Sequence, residues 1–157
     1  MPLIRNSAKA IILQNGQLLT IKNRDPLGNF YILPGGGQEH YETLHKALRR
    51  ECKEEIEVEI VIGRLQFVRE YIGAHHEFSE YDGEVHQIEF MFRCALEEGH
   101  SPFNGTMLDT YQIGIRWLPI AQLDRYRLYP AVQEELLKTE CSGEIDSHTQ
   151  IYLGDVN

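Results

Sequence analysis

Glu51, Glu54 and Glu55 place three carboxylates at spacing i, i+3 and i+4. In a helix, where each residue turns the chain by roughly 100°, all three share one face within one turn. Hard divalent cations, Mg2+ or Mn2+, take oxygen donors of this kind together with water and substrate phosphates. The competing reading is a solvated acidic helix face, since exposed like charges cost only roughly a few tenths of a kcal/mol per pair. What favours the cation is the segment Pro34-Gly35-Gly36-Gly37 a short way upstream. Glycines let the backbone bend sharply and come close to a ligand, so a main-chain carbonyl there can add to the carboxylates.

The spacing also resembles a known signature. Gly36, Glu42, Arg50, Glu51, Cys52, Glu54, Glu55 and Val58 fall on the pattern of the Nudix (MutT-like) hydrolases. That pattern reads Gly, five residues, Glu, seven residues, then Arg-Glu-apolar-any-Glu-Glu-any-Gly-apolar. The departure is Glu57, which stands where the pattern has its last glycine. A glycine just past a helix commonly turns left-handed, and a glutamate held in that shape costs about 1–2 kcal/mol.

The resemblance implies an α/β (α+β) fold, a Nudix-like α/β/α sandwich with a mixed β-sheet and a metal-binding helix after a Gly-rich loop. It implies that Glu51, Glu54 and Glu55 bind Mg2+ or Mn2+ with help from the Gly35 carbonyl. Arg50, Glu51 and Glu54 are then the catalytic candidates, and Gly36 and Glu42 support the site. The implied reaction is hydrolysis of a phosphoanhydride bond in a nucleoside diphosphate linked to another moiety: a nucleotide sugar, ADP-ribose or a nucleoside triphosphate. A general base is required near the attacking water. Glu54, Glu97, Glu98, Asp109 and Gln112 are the candidate positions, and the sequence does not choose among them. The alternative is a non-catalytic Nudix-like domain that senses a nucleotide, which the altered Glu57 alone favours. Arg24, after the second strand, reads either as a phosphate contact in substrate binding or as an exposed strand-end arginine.

These groups need elements to hold them. Ala8–Leu13 and Gln17–Lys22 read as strands joined at Asn15-Gly16, a dipeptide suited to a tight hairpin turn. Asn23–Asn29, with Pro26 and Gly28, reads as a loop, and Phe30–Leu33 as a short strand entering the glycines. Tyr41–Ile56 lacks Gly and Pro and is rich in helix formers. Val58–Ile72 looks extended, and Gly73–Gly83 reads as a polar loop. Ile88, Phe90, Phe92, Cys94 and Leu96 alternate with other residues, a period of two that marks a strand with one buried face. Tyr111–Leu118 reads as a strand, Ile120–Leu123 and Ala131–Lys138 as helices, the latter opened by Pro130, and Gln150–Leu153 as a last strand or edge cover.

The chain of 157 residues is expected to form a single domain, 1–157, with no repeat or linker. Asp plus Glu number 24 against 15 Lys plus Arg, a net charge of −9 that disfavours nucleic acid and anionic lipid as partners. An anionic small molecule remains compatible, because a bound cation reverses the local field. A decapping-type enzyme would need a basic track, and none is visible in the sequence. The absence of a long apolar run or a signal-like N-terminus leads to the expectation of a cytoplasmic chain. Cys52, Cys94 and Cys141 form no CxxC pair and read as buried or idle thiols. His75-His76, taken as strand residues facing opposite ways, argue against zinc. The Val58–Ile72 segment and the tail are candidate homodimer faces, because an edge strand invites pairing.

Overall fold

The structure, a computed structural model, describes residues 3–102, 112–142 and 150–157. Strands β1 (Ile4–Gln14) and β2 (Gln17–Asp25) meet at Asn15-Gly16, both at positive φ (51° and 72°), as a type I′ turn requires. The two strands then pair only at Leu13–Leu18 and Gln14–Gln17 before parting. That divergence frees one edge of β1, and β4 (Gly35–Gly37) fills it, with Ser7, Ala8 and Lys9 opposite Gly37, Gly36 and Gly35. The three glycines are therefore a strand and not merely a bend. The contact requires glycine at Gly35, where φ is 129° and a Cβ would lie 2.1 Å from the Ala8 carbonyl oxygen.

The other edge of β1 pairs in parallel with β6 (His86–Leu96), which in turn pairs antiparallel with β5 (Ile60–Ile72). Strand β2 carries β3 (Gly28–Ile32) on one side and β7 (Gln112–Pro119) on the other. Short strands β8 (Leu128–Tyr129) and β9 (Tyr152–Asp155) add in parallel to β3 and β5. The sheet is thus mixed, and each face carries a helix. Along β1, Ala8, Ala10 and Ile12 join a core with Leu48, Cys52 and Ile56 of helix α1 (Leu44–Ile56), whose approach the two alanines ease. Ile11 joins the opposite core, with Val132 and with Leu136 of α3 (Gln133–Ser142). Among the described residues the remaining α-helix, α2 (Ser79–Asp82), is a single turn inside the segment read as a loop.

Helix α1 begins three residues later than its composition suggests. Tyr41 is left-handed (φ 65°), and Thr43 caps the helix by accepting the Lys46 N–H at 3.2 Å. At the other end Glu57 takes the left-handed conformation (φ 53°, ψ 39°) and its N–H bonds Lys53 O. The helix therefore ends where a glycine would end it, with the strain expected of a side chain there. Replacing Glu57 by Gly is expected to stabilise the protein by about 1 kcal/mol and to raise Tm by about 2–4 °C. A thermal unfolding curve that is unchanged or shifted down contradicts this.

Asn23–Asn29 is a hairpin, not a loop: β2 runs to Asp25 and β3 starts at Gly28. Its anchor is distant in sequence. Arg127 holds both Asp25 oxygens (2.9 and 2.6 Å) and lies 5.2 Å from the Phe30 ring centre. This hydrogen bonding keeps the Asp25 carboxyl below the usual aspartate range. Ile120–Arg125 is a 3-10 turn. Among the described residues no helix is long and apolar enough to cross a membrane.

Candidate functional site

Arg50 organises the acidic face of α1. Its Nε and Nη2 bond the two Glu42 oxygens (2.9 and 3.0 Å), and Nη2 also donates to Gly37 O (3.0 Å). Nη1 reaches Glu51 Oε1 at 2.8 Å and Glu54 Oε2 at 3.4 Å. One planar guanidinium thus ties the helix to β4 and to the turn before it, using the fork geometry that lysine lacks. The hydrogen bond from Arg50 holds the Glu42 carboxyl below the ordinary glutamate range and raises the Arg50 pKa in return. Glu42 also accepts the Glu39 N–H (3.0 Å), so the turn that delays the helix start is itself held by this pair.

The three helix glutamates differ. Glu55 is buried (3% exposed) and accepts the Gly35 N–H at 3.1 Å. Glu51 packs against Gly36, where a Cβ would meet its carboxyl carbon at 2.5 Å. A glycine is needed at 36 for that close approach. Of the two acids on Arg50 Nη1, Glu54 is the more open, with 32% of its side chain exposed against 18% for Glu51. Glu51 and Glu54 turn to Arg50 and Glu55 turns to Gly35. Among the described residues no three acidic, histidine or cysteine side chains therefore already enclose a metal-sized space. The donor set nevertheless suits a hard cation: carboxylate oxygens on one helical turn, beside a glycine strand whose lack of side chains leaves room for them.

Other sequence candidates fall elsewhere. Arg24 lies exposed on the β2–β3 hairpin, where its Nε donates to Asn29 Oδ1 (3.0 Å). Glu97 donates its N–H to Glu59 O (3.0 Å), past the C-terminal end of α1, and Glu98 is exposed beside it. Asp109 lies outside the described residues. Gln112 does come to the site, but as a support: its Nε2 donates to the Glu55 backbone oxygen at 3.1 Å. Its amide oxygen is too weakly basic to take a proton from water.

Two contributors from β1 were not among the sequence candidates. Ser7 Oγ donates to Gly36 O (3.1 Å) and Lys9 Nζ to Gly35 O (2.9 Å). The available signal for Lys9 was a lone cation inside the otherwise apolar run Ala8-Lys9-Ala10-Ile11-Ile12. His75 and His76 also differ from expectation. They belong to a 3-10 turn and the residue after it, not to a strand, and both point at Asp155, at 2.7 and 2.6 Å. Burial pushes the Cys52 and Cys94 thiols up, Cys94 to about 12, so these two are inert.

A family model described as the NUDIX domain matches residues 3–139. Among solved structures, the chain is similar to a NUDIX hydrolase from Nitrosomonas europaea, with TM-score 0.69, 16% identity and 90% of each chain covered. It is also similar to an ADP-ribose pyrophosphatase from Streptococcus suis, with TM-score 0.61, 16% identity, and 99% of this chain and 100% of that one covered. A MutT protein from Methanosarcina mazei gives TM-score 0.66 and 18% identity, over 90% of this chain and 96% of that one. No curated protein matches significantly.

Proposed function

The chain belongs to the Nudix family of hydrolases, which act on acid anhydrides in phosphorus-containing compounds, and from that premise we propose that it is a Mg2+-dependent pyrophosphohydrolase of nucleoside diphosphate derivatives. The observation that carries this reading is the Arg50 cluster, which gathers Glu42, Glu51 and Glu54 against the glycine strand. Glu51, Glu54 and Glu55, with the Gly35 carbonyl, are the groups that would hold Mg2+ or Mn2+. When bound there, such a cation would supply neutralisation of phosphate oxygens and a lowered pKa for water.

The residues of the chain do the rest. Gly36 keeps space for the Glu51 carboxylate, and Arg50 with Glu42 fixes the helix against β4. Water attacks phosphorus, the bridging P–O bond breaks, and the leaving phosphate takes the bond's electron pair. Glu54, the more open of the two carboxylates on Arg50 Nη1, accepts the water proton in this reading. The substrate is a nucleotide sugar, ADP-ribose or a nucleoside triphosphate, all of which present the same diphosphate to these groups. The Streptococcus suis neighbour is named for ADP-ribose, which makes that compound the first to try.

The test is a panel of these compounds incubated with the purified protein and Mg2+, scored for released monophosphate or pyrophosphate. Turnover of at least one, lost on adding EDTA and restored by excess Mg2+, is the expected result. Tight binding of a compound without turnover in Mg2+ or Mn2+ would favour a sensor instead.

A further inference from the structure

The three carbonyls of β4 carry three different donors: Lys9 on Gly35, Ser7 on Gly36 and Arg50 on Gly37. Two of these are fixtures of the fold. Ser7 is neutral and buried (1% exposed), and Arg50 is pinned by Glu42 on two sides. Lys9 is of another kind. Its backbone sits between fully buried Ala8 and Ala10, yet its side chain is half-buried and carries its ammonium on a flexible four-carbon stem. That ammonium lies on the one carbonyl oxygen which the reading above gives to the divalent cation.

Two cations sharing one oxygen repel each other, and the flexible lysine stem can move where the backbone carbonyl cannot. A second cation reaches the same glycine strand. Arg5 lies four residues earlier on the same strand, so it shares the face of Lys9, and its Nη2 is the atom that a Cβ on Gly37 would meet at 2.8 Å. The chain is acidic overall, yet here it brings one cation to each end of the glycine strand, Lys9 to Gly35 and Arg5 to Gly37.

We propose that Lys9 is an internal competitor of the divalent cation, holding Gly35 O in the metal-free protein and passing to the phosphate chain of the substrate when the metal enters. The proposal rests on the metal reading of Gly35 and the helix glutamates. In this role Lys9 is a positioning residue: it lowers metal affinity in the free enzyme and makes metal and diphosphate bind more tightly together than apart.

The experiment titrates Mn2+ alone into wild type, Lys9→Met, Lys9→Gln and Glu54→Gln, reading the dissociation constant by EPR of free Mn2+ or by calorimetry. Removing the competing charge tightens Mn2+ binding about tenfold in Lys9→Met. The same tightening is expected in Lys9→Gln, which can still donate to Gly35 O and so preserves the fold if the methionine does not. Inorganic pyrophosphate, titrated into the Mn2+-loaded variants, binds about tenfold more weakly than to loaded wild type, because the displaced cation is missing. Unchanged or weaker Mn2+ binding by the folded Lys9 variants, with Glu54→Gln still impairing it, overturns the role of Lys9 and leaves the metal site standing. Mn2+ binding that Glu54→Gln does not impair overturns both.

Discussion

Glu54→Gln lowers kcat about a thousandfold while the protein stays folded, within the roughly 10²–10⁴-fold range of a lost general base. Glutamine keeps the shape of glutamate and one oxygen to face Arg50, so the contact at 3.4 Å is weakened and not emptied. What it removes is a negative charge and a proton acceptor, the two properties assigned to this position. The metal-free protein should lose little stability, because the side chain is a third exposed and its neighbour Glu51 is a like charge. Relief of that repulsion offsets part of the weakened ion pair, leaving a net change of about 0.5 kcal/mol or less. The measurements are steady-state turnover of the best substrate from the panel and a thermal melt on the same preparation. Turnover within tenfold of wild type would remove Glu54 from the chemistry. A melt lowered by many degrees would mean instead that its role is structural.

How much of this could be read in advance depends on how local each interaction is. Arg50 and the three glutamates lie on one helix, so helical spacing places them together, and Glu42 stands only two residues before that helix begins. The Asn15-Gly16 turn is local in the same sense, and it forms as its residue types dictate. Strand β4 is not local. Three glycines have no side-chain pattern, and they become a strand only because β1 leaves β2 after two pairs and exposes an edge. The β2–β3 hairpin was masked by Pro26 and Gly28, and what extends it is Arg127, 102 residues from Asp25. Likewise Arg69 and Glu89, both buried, form an ion pair across β5 and β6 that no period in either strand foretells.

Glu57 was the one sequence feature that favoured a sensor over an enzyme. The backbone accounts for it: the helix closes through the same left-handed residue that a glycine would supply, and Glu51, Glu54 and Glu55 keep their places on the helix. Strain at the C-cap is a matter of stability, and it lies outside the group of side chains around Arg50.

The second large effect is on that group itself. Arg50→Gln destabilises the metal-free protein by about 2 kcal/mol, less than the 3–5 typical of a fully buried pair because a quarter of the arginine side chain is exposed. Glu42, Glu51 and Glu54 lose the guanidinium they hydrogen-bond, Glu39 loses a longer ion pair at 4.0 Å, and the Gly37 carbonyl loses its donor. Tm falls by about 4–8 °C. Saturating Mg2+ should recover part of the loss, since a divalent cation bound only by the folded state restores positive charge among the same carboxylates. The pH dependence separates this explanation from a simple packing defect. Arg50 depresses the Glu42 pKa below its ordinary value near 4.5, so the folded state favours the ionised carboxylate. Its stabilisation is present above that ordinary value and is lost as pH falls through the depressed one. Wild type therefore has this stability to lose below about pH 4.5, and Arg50→Gln does not. Melts taken from pH 7 down to pH 3 should show the two proteins converging in acid. Parallel curves across that range would mean that Arg50 holds the helix by shape alone, and the electrostatic account of the site would then fail at its centre.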